Sequence, residues 1–478
     1  MSEQQIAGPA WVKDAVFYQI FPDRFARGEA IEHTPGLVFK PWGADPAEQG
    51  FQGGDLYGVV DKLDYLKSLG VTAIYLCPIF ASACNHRYHT FDYMQVDPLL
   101  GGNDALRKLL DEAHARDMKV VLDGVFNHAS RGFWAFHHIL ENGGDSPYID
   151  WFKIQDWPLR PYHSDDDNPP NYDAWWNLPA LPKFNHQNPG WRAHIFDVAE
   201  YWLKFGIDGW RLDVPKEIED DDFWREFRVR CKAVNPEAYI CGEIWTKSER
   251  WLQGDMFDAT MNYIQTCATL SYIGADSWNG YRRNNLEVSP IDAQQFVDVM
   301  EDMYASYDWG INEVQLNLLG SHDMARPLWI MGDKKSAMKL AMLTMFSTPG
   351  APCIYYGDEI GMSAGDDPYC REAYPWDEPA KQDREMFDYI AQLAEVRKGS
   401  DALCHGRLAF LPPQNNVVLF TRTTEHQQYL VALNPNAEGV TVSLPETGEL
   451  IWQTGGESSL QDTQLTLPAQ SGVIVALG

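Results

Sequence analysis

The chain carries few positive charges for its size. Among its 478 residues, Lys and Arg total 38 against 68 Asp and Glu, so the formal net charge is −30. A field of that sign repels phosphate groups, which argues against nucleic acid and anionic membranes as partners. A neutral substrate is compatible with this charge.

Targeting and redox signals are also missing from the sequence. It shows no apolar run of about 18 residues, which argues against a spanning helix, and no basic start with an apolar leader, which argues against a secretory signal. The eight Cys include no CxxC pair, so neither a zinc motif nor a redox motif is indicated. We therefore expect a cytoplasmic protein with reduced thiols.

Aromatic residues, in contrast, are abundant. They make up 13% of the chain and include 18 Trp. Flat apolar rings are what sugar rings stack on, although most rings of this kind belong to a protein core. The composition is therefore compatible with a cleft that binds carbohydrate.

Eight short β-rich runs lie along the chain, most of them separated by helical patterns. They are Val16–Phe21, Ala73–Pro78, Lys119–Val125, Gly209–Val214, Tyr239–Glu243, Phe257–Asn262, Val314–Gly320 and Pro352–Gly357. Apolar spacing predicts one of the helices between Asn188 and Gly206. Alternating strands and helices favour a parallel sheet, and eight such units over more than about 250 residues predict a (β/α)8 TIM barrel of the α/β class.

Two segments interrupt this alternation. A stretch rich in Trp, Tyr, Pro and Asp follows the third strand, and short strand patterns separated by turns follow a helix near Phe387–Lys398. The later patterns are VVLFTR, QYLVALNP, GVTVSL and GVIVAL. We expect a barrel over residues 1–128 and 188–402, an inserted small domain over 129–187 and a C-terminal antiparallel β-sandwich over 403–478.

Ionisable residues cluster where four of the predicted strands end. These residues are Asp123, Asn127 and His128 at the end of strand three, Arg211 and Asp213 on strand four, Glu243 on strand five, and His322 and Asp323 after strand seven. Single acids at such places also cap helices or form ion pairs. Four acidic ends at one face favour a catalytic site, because barrel enzymes place their chemistry there.

The fourth and fifth strands provide a pair of acids with different surroundings. Arg211 and Asp213 alternate along one strand and point to the same side, so the guanidinium should depress the pKa of Asp213. Like charge and an apolar cleft should raise the pKa of Glu243. A nucleophile paired with a general acid across one bond is typical of a glycosidase, and a separation of about 5–5.5 Å would make it retaining.

At these residues the chain resembles the α-amylase family of glycoside hydrolases. The matching stretches are DGVFNH (123–128), GWRLDV (209–214), GEIW (242–245), LLGSHD (318–323) and LPKFN (181–185). LPKFN and the run FQGGDLYGVVDKLDYLKSLGVTAIYLCPIF (51–80) are most similar to the cyclomaltodextrinase, neopullulanase and maltogenic amylase branch.

The resemblance implies roles for the matching residues. Asp213 would be the nucleophile, Glu243 the acid/base, and Asp323 the stabiliser of the transition state. Arg211 would orient Asp213, and Asp123 would support Arg211. Substrate contacts are implied for a wider set: His128, His322, Tyr88, His86, Trp245, Glu217, Lys216, Arg326, Trp175 and Trp176. For the last two, a place in the core of the inserted domain is an equal alternative.

The chain departs from this branch in several places. It begins at strand one, where usual members carry an N-terminal β-domain, so we expect a monomer, or a dimer formed by another route. The segment RFARGEAIEHTP (24–35) offers few oxygen ligands for the calcium site that often follows strand one. We expect no required cofactor, with Asn127 as a candidate calcium ligand at a second site. His89 stands where relatives commonly have Asp.

The expected activity is hydrolysis of α-1,4 bonds in maltooligosaccharides and cyclodextrins, with pullulan as a further candidate substrate. Transfer to a sugar hydroxyl in place of water would give transglycosylation. The alternative within enzymes is an exo-acting α-glucosidase or a glucosyl-transferring enzyme. A non-catalytic binding protein of this fold is a second class, and the three acids with both His argue against it.

Overall fold

Eight parallel strands form the barrel, as the sequence predicts. The computed structural model describes residues 6–31, 36–162, 164–165, 167–274, 280–284 and 286–478. The barrel strands are Phe17–Ile20, Ala73–Leu76, Lys119–Gly124, Gly209–Leu212, Tyr239–Gly242, Ala259–Thr260, Leu316–Leu318 and Ala351–Tyr355. Seven of them lie within their predicted runs, and the eighth, Ala351–Tyr355, begins one residue before its predicted run. A parallel bridge between Met261 and Leu316 joins the sixth and seventh strands and closes the barrel.

Helices follow or precede the barrel strands along the chain. Their bounds are Pro22–Phe25, Leu56–Asp61, Leu63–Ser68, Gly102–His114, Trp134–Asn142, Pro189–Phe205, Asp221–Val234, Tyr263–Ile273, Ala293–Ala305, Trp309–Asn312, Pro327–Ile330, Lys335–Ser347, Arg384–Lys398 and Asp401–His405. Asn188 caps Pro189–Phe205 by accepting from the N–H groups of Gly190 and Trp191, and Gly206 ends it in the left-handed region. The predicted helix between Asn188 and Gly206 is confirmed.

The segment after the third strand folds against the barrel through isolated bridges. The described residues of 129–187 contain the helix Trp134–Asn142 and no strand. Bridges join His128 to Lys183 and Phe152 to Phe184, and further ones join Ile154 to Tyr172 and Ala174 to Pro182. The LPKFN stretch is therefore held beside the end of the third strand.

Two small antiparallel pairs were not predicted from the sequence. The strands Phe80–Ser82 and Thr90–Val96 form a hairpin after the second barrel strand. The strands Tyr281–Arg283 and Leu286–Val288 form a ribbon after the sixth. Both arise in loops on the side of the barrel where its strands end.

The C-terminal part is an antiparallel two-sheet domain, as predicted. One sheet contains Arg407–Gln414, Val417–Thr423, Gln428–Asn434, Ser471–Leu477 and Gly448–Gln453, and the other contains Val440–Ser443, Gln464–Leu467 and Ser459–Gln461. Four of these strands match the predicted patterns. Arg407–Gln414 escaped prediction because it contains two prolines, which an edge strand tolerates at the irregular pairing between Leu411 and Gln414.

The eight cysteines are free thiols, and six of them are buried. No helix among the described residues is long and apolar enough to cross a membrane.

Close contact between the fourth and fifth barrel strands depends on Gly209. Gly209 pairs with Tyr239, and a Cβ at Gly209 would lie 2.3 Å from the Tyr239 carbonyl oxygen. A side chain there would push the two strands apart. These strands lead directly into Asp213 and Glu243, so their spacing fixes the distance between the two acids.

We predict that Gly209→Ala destabilises the protein. Overpacking of this kind typically costs about 1–3 kcal/mol, and the melting temperature followed by circular dichroism should fall. Gly144→Ala is the matched control, because Gly144 is exposed and nothing lies within 4 Å of its added Cβ. An unchanged melting temperature for Gly209→Ala would contradict the role given to this contact.

Candidate active site

Strand register brings the predicted acids together. Asp123 pairs with Arg211, and Arg211 pairs with Cys241, across three neighbouring strands. Side chains two residues further along point to the same side, so Asp213 and Glu243 occupy the next level. The Glu243 N–H donates to the Leu212 carbonyl at 2.9 Å, which continues the pairing past the strand ends.

The guanidinium of Arg211 is shared among three carboxylates. Its Nη1 lies 3.0 Å from Asp123 Oδ1 and 3.0 Å from Asp213 Oδ1, and its Nη2 lies 3.1 Å from Glu243 Oε2. Arg211 is 1% exposed. The expected contact of Arg211 with Asp213 is therefore present, with Asp123 supporting Arg211 from the level below.

Asp123 is surrounded by donors. Tyr75 and Tyr88 each donate a phenolic hydrogen bond to Asp123 Oδ2, at 2.8 and 2.9 Å, and Arg211 donates to both of its oxygens. These contacts satisfy both carboxyl oxygens and oppose burial, which raises the pKa of Asp123. Asp123 consequently fixes one end of the cluster.

Burial is the largest influence on the titration of the two central acids. Burial raises the pKa of Asp213 well above its ordinary value. Arg211 lowers this pKa, whereas the Glu243 and Asp123 carboxylates raise it further. Arg211 lowers the pKa of Asp213 as predicted, but the net pKa is raised, so the expectation of a depressed pKa is wrong. The reason is that one guanidinium serves three carboxylates at a dry site.

Glu243 has the environment predicted for a general acid. Burial raises its pKa, Arg211 opposes that rise, and the Asp323 carboxylate adds to it. Its oxygens accept hydrogen bonds from the Val214 N–H at 3.0 Å and from the Trp245 indole N–H at 2.9 Å. Trp245 stacks on Tyr263 with ring centroids 3.7 Å apart, so the donor to Glu243 is held in place.

Val214 adopts an unusual backbone conformation directly after Asp213. Its φ of 35° and ψ of 49° lie in the left-handed region, which is unfavourable for a β-branched residue. The same residue donates its N–H to Glu243. Strain of this kind is found where a site requires a particular backbone direction.

His322 has polar partners at both of its ring nitrogens. The Gln19 amide nitrogen lies 2.8 Å from Nδ1, so Nδ1 accepts and the proton lies on Nε2. Nε2 faces the Tyr88 hydroxyl at 2.5 Å and Asp323 Oδ2 at 3.2 Å. Burial lowers the pKa of His322 well below its usual range, and Arg371 acts in the same direction.

Asp323 is the most open of the four acids. Its side chain is 27% exposed and lies 3.4 Å from Arg371 Nη2 through Oδ1. Arg283 donates to its backbone carbonyl at 3.0 Å. Asp323 thus has a free face toward solvent, while its other side is held by His322 and Arg371.

His128 begins a column of stacked rings that leads outward. Its ring lies 4.8 Å from that of Trp175 at 9°, and Trp175 lies 4.2 Å from Trp176 at 13°. Trp176 is 70% exposed. His128 Nε2 is buried and has no hydrogen-bond partner among the described residues, while burial lowers the His128 pKa to about 3.

Comparison with protein-family models gives a decisive match. The description "Alpha amylase, catalytic domain" fits residues 19–406, and the description "Alpha-amylase SusG C-terminal domain" fits residues 417–474. The chain belongs to the α-amylase family of glycoside hydrolases. The family resemblance drawn from the five sequence stretches is confirmed.

Curated relatives place the chain near one branch of the α-amylase family. A cyclomaltodextrinase from Geobacillus thermopakistaniensis is 42% identical over 441 residues, which covers 91% of this chain and 71% of that protein. Relatives named maltogenic α-amylase and neopullulanase also match. The predicted branch is confirmed.

Solved structures match over their whole length. A debranching enzyme from Nostoc punctiforme has a TM-score of 0.88 at 44% identity, covering 99% of this chain and 100% of that one. A cyclic α-maltosyl-(1→6)-maltose hydrolase from Arthrobacter globiformis has a TM-score of 0.87 at 35% identity, covering 98% and 100%.

The remaining predicted substrate residues of this α-amylase family member differ in how far they are buried. His86 and Tyr88 are half-buried and stack with ring centroids 5.9 Å apart. The ring of Tyr88 also lies parallel to that of His322, with centroids 5.2 Å apart. Lys216 is exposed, and Glu217 Oε2 lies 3.3 Å from Lys183 of the LPKFN stretch. Both follow Asp213 in the short helix Pro215–Glu217.

Arg326 has no exposed surface with which to contact a sugar. It is 0% exposed, and its Nη1 donates at 2.8 Å both to Asp358 and to the Tyr356 carbonyl. Its guanidinium also lies over the Tyr355 ring. These contacts support a positioning role, and its expected place among the substrate contacts gains no support.

Asn127 meets few of the requirements of a calcium ligand set. Its Oδ1 is buried and has no hydrogen-bond partner among the described residues. Its carbonyl oxygen already accepts from the Phe184 N–H and from His186 at 3.2 Å each. Within the described part of the chain, Asn127 contacts the Phe184 N–H and the rings of His128 and His186, and no carboxylate of the kind that Ca²⁺ favours. Of the strand-one segment 24–35, residues 32–35 lie outside the described residues.

Sequence reasoning missed four residues that hold the site together. Gln19 and Tyr75 are polar side chains within otherwise apolar buried strands, a signal that was available. Arg371 ends the short helix Tyr369–Arg371 and Tyr263 begins the helix Tyr263–Ile273, and both lie outside the motifs that carry the acids. Only the fold brings these two to the site.

We predict that Asp123→Asn shifts the acidic limb of the pH profile of kcat/KM to lower pH. The substitution removes a carboxylate that raises the pKa of Asp213. It also leaves Arg211 to interact more strongly with Asp213, so both effects lower the pKa of Asp213. Turnover should fall by about 10²-fold because Arg211 loses its anchor.

Asp208→Asn is the matched control for this pH profile. Asp208 is also buried, but it lies at the opposite end of the fourth strand, where it contacts His114 and Lys119. Its substitution should leave the limb in place. A shift of the Asp123→Asn limb to higher pH would contradict the charge arrangement described.

Proposed function

We propose that the chain is a retaining α-glucan hydrolase that cleaves α-1,4-glucosidic bonds in maltooligosaccharides and cyclodextrins. The observation that carries this proposal is the pair Asp213 and Glu243, adjacent in register and bound to one guanidinium. Two carboxyl groups in unlike surroundings on the same side of a cleft are what glycosidic cleavage requires. The names of the curated relatives support the substrate class.

Cleavage proceeds in two displacements on this proposal. Asp213 attacks the anomeric carbon while Glu243 transfers its proton to the glycosidic oxygen, so the bond to the leaving sugar breaks. Glu243 then takes a proton from water, and the water oxygen displaces Asp213 from the glucosyl carbon. A sugar hydroxyl that replaces water in the second step gives transglycosylation.

The surrounding groups act on the sugar bound next to Asp213. Asp323 has an open face for the sugar hydroxyls, and the Nε2–H of His322 is directed between Tyr88 and Asp323. The unpartnered Nε2 of His128 is a buried polar atom that a sugar hydroxyl would satisfy. Trp175 lies between the rings of His128 and Trp176, so the exposed outer face of Trp176 is the one that offers stacking for a further glucose unit.

Hydrolysis of α-1,6 bonds is a second candidate activity. It is favoured by the full-length match to two solved structures, a debranching enzyme and a hydrolase of a cyclic α-(1→6)-linked maltose dimer. Lys216 and Glu217 follow the nucleophile directly and would face the acceptor sugar, so linkage preference would be decided there.

A product time course tests these alternatives. β-Cyclodextrin, maltoheptaose and pullulan are incubated side by side and the products are separated by chromatography. Opening of the ring at least as fast as the linear chain supports the main proposal. Release of glucose one unit at a time from maltoheptaose alone would instead indicate an exo-acting α-glucosidase, and preferential cutting at α-1,6 bonds would indicate the second candidate.

The stereochemical course is a separate prediction. NMR spectra taken in the first minutes should show the new reducing ends as α-anomers, since two displacements preserve configuration. Asp213→Asn should lose at least about 10³-fold in turnover, because the covalent route is removed, while maltooligosaccharide binding and the melting temperature remain near wild type. Residual turnover within about tenfold of wild type, or β-anomers as first products, would contradict the assignment.

We further propose that the reaction needs no metal cofactor, since every step is assigned to side chains of this chain. Dialysis against a strong chelator should leave turnover and the melting temperature unchanged, and added Ca²⁺ should have no effect on either. A loss of activity that Ca²⁺ restores would contradict this and would direct attention to Asn127.

The eight free thiols support a reducing compartment as the working environment, which we propose to be the cytoplasm. The net charge of −30 suits a neutral α-glucan oligosaccharide as the partner in that setting.

A further inference from the structure

The hairpin after the second barrel strand brings a thiol and two imidazoles together. Cys84, His86 and His89 lie between the strands Phe80–Ser82 and Thr90–Val96, and one ligand atom from each lies within 4.8 Å of the others. Cys84 Sγ is 3.5 Å from His86 Nδ1. The rings of His86 and His89 have centroids 4.9 Å apart and are nearly perpendicular, at 85°.

These distances suit a small tetrahedral metal ion. Zinc bonds of about 2.0–2.3 Å to nitrogen and sulfur place neighbouring ligand atoms about 3.3–3.8 Å apart. The Cys84 to His86 separation already has that value. The remaining separations require the side chains to close by about 1 Å, which rotation of half-buried side chains permits.

Hydrogen bonds and an ion pair hold the backbone that carries the three ligands. Arg87 is buried, has a φ of 58°, forms a 2.9 Å ion pair with Asp97 and donates to the Asn85 carbonyl at 2.9 Å. The Ser82 hydroxyl donates to the His89 carbonyl at 2.7 Å across the base of the loop. The backbone under the three ligands is therefore held in place before any metal binds.

The donor set also selects a class of ion. Thiolate with imidazole is preferred by zinc and its neighbours in the transition series, whereas Ca²⁺ and Mg²⁺ prefer oxygen. Two neutral imidazoles each supply a lone pair, and the thiol supplies a thiolate after losing its proton to solvent. Cys84 and His89 have no assigned part in the α-amylase chemistry, so that chemistry does not account for the cluster.

We propose that Cys84, His86 and His89 form a binding site for a thiophilic divalent cation of the zinc class, with the fourth position open to water. Binding forms one metal–sulfur and two metal–nitrogen bonds and releases one proton from Cys84.

Occupancy of this site acts on the neighbouring active site. His86 Nδ1 accepts the Tyr88 N–H at 3.2 Å, and Tyr88 in turn bonds Asp123 and stacks on His322. A metal that takes up His86 displaces Tyr88 from this arrangement and lowers turnover. This consequence rests on the proposed hydrolase function, whereas the metal site itself does not.

Cobalt titration of the full-length protein tests the site directly. Protein kept reduced and freed of metal is titrated with Co²⁺, which gives a thiolate charge-transfer band and intense visible bands at a tetrahedral site. One equivalent should bind, and Zn²⁺ should remove the bands. Cys84→Ser should abolish the charge-transfer band, and His89→Asp should weaken Co²⁺ binding by at least about tenfold.

Cys267→Ser is the matched control, because Cys267 is a second half-buried thiol, bonded to the Glu287 carbonyl. It should bind Co²⁺ as wild type does. Circular dichroism and melting confirm that each variant is folded. A wild-type titration without a thiolate band, or a band that persists in Cys84→Ser but is lost in Cys267→Ser, would overturn the proposal.

Turnover provides the second measurement. One equivalent of Zn²⁺ should lower the wild-type rate, a chelator should restore it, and Cys84→Ser should be insensitive. A bound metal that leaves turnover unchanged would overturn the link through Tyr88. Because the cobalt bands are recorded without substrate, failure of the site and failure of the hydrolase assignment give different results.

Discussion

One buried guanidinium determines how the active site is built. Arg211 contacts Asp123, Asp213 and Glu243 at 3.0–3.1 Å inside the barrel, so three carboxylates share a single positive charge. With Asp323 and its partner Arg371, four acids face two guanidiniums. An interior of low dielectric cannot hold that excess of negative charge without protons. The cluster must therefore retain protons, and Glu243, which needs one for catalysis, is placed to carry it.

The same constraint explains why the groups around the cluster are donors. Tyr75, Tyr88, the Trp245 indole and the Val214 N–H all direct hydrogen toward carboxylate oxygens. Their number compensates for the limited charge of Arg211. Removing one donor changes the protonation of every acid in contact, so the site responds as a coupled unit in which apparent pKa values belong to the cluster.

Much of this architecture could be predicted from the sequence. The eight strands and the acids at their ends follow from alternation and position, since those signals are local. The pKa of Asp213 was given the wrong sign because burial by distant segments outweighs the adjacent Arg211. Arg371 and Tyr263 could not be inferred, since only tertiary packing places them near the acids. Arg326 follows the LLGSHD motif closely and was expected to contact substrate, but the fold buries its side chain completely.

The ion pair between Lys183 and Glu217 makes the inserted segment depend on the barrel. It joins the inserted segment to the loop behind the nucleophile, and the His128–Lys183 bridge and the Phe184 to Asn127 hydrogen bond add to the same seam. The inserted segment therefore cannot be exchanged for that of a relative without changing its contacts to the barrel. A chimera that takes residues 129–187 from a relative must also carry a compatible residue at position 217. We therefore expect substitutions in the inserted segment and at position 217 to occur together.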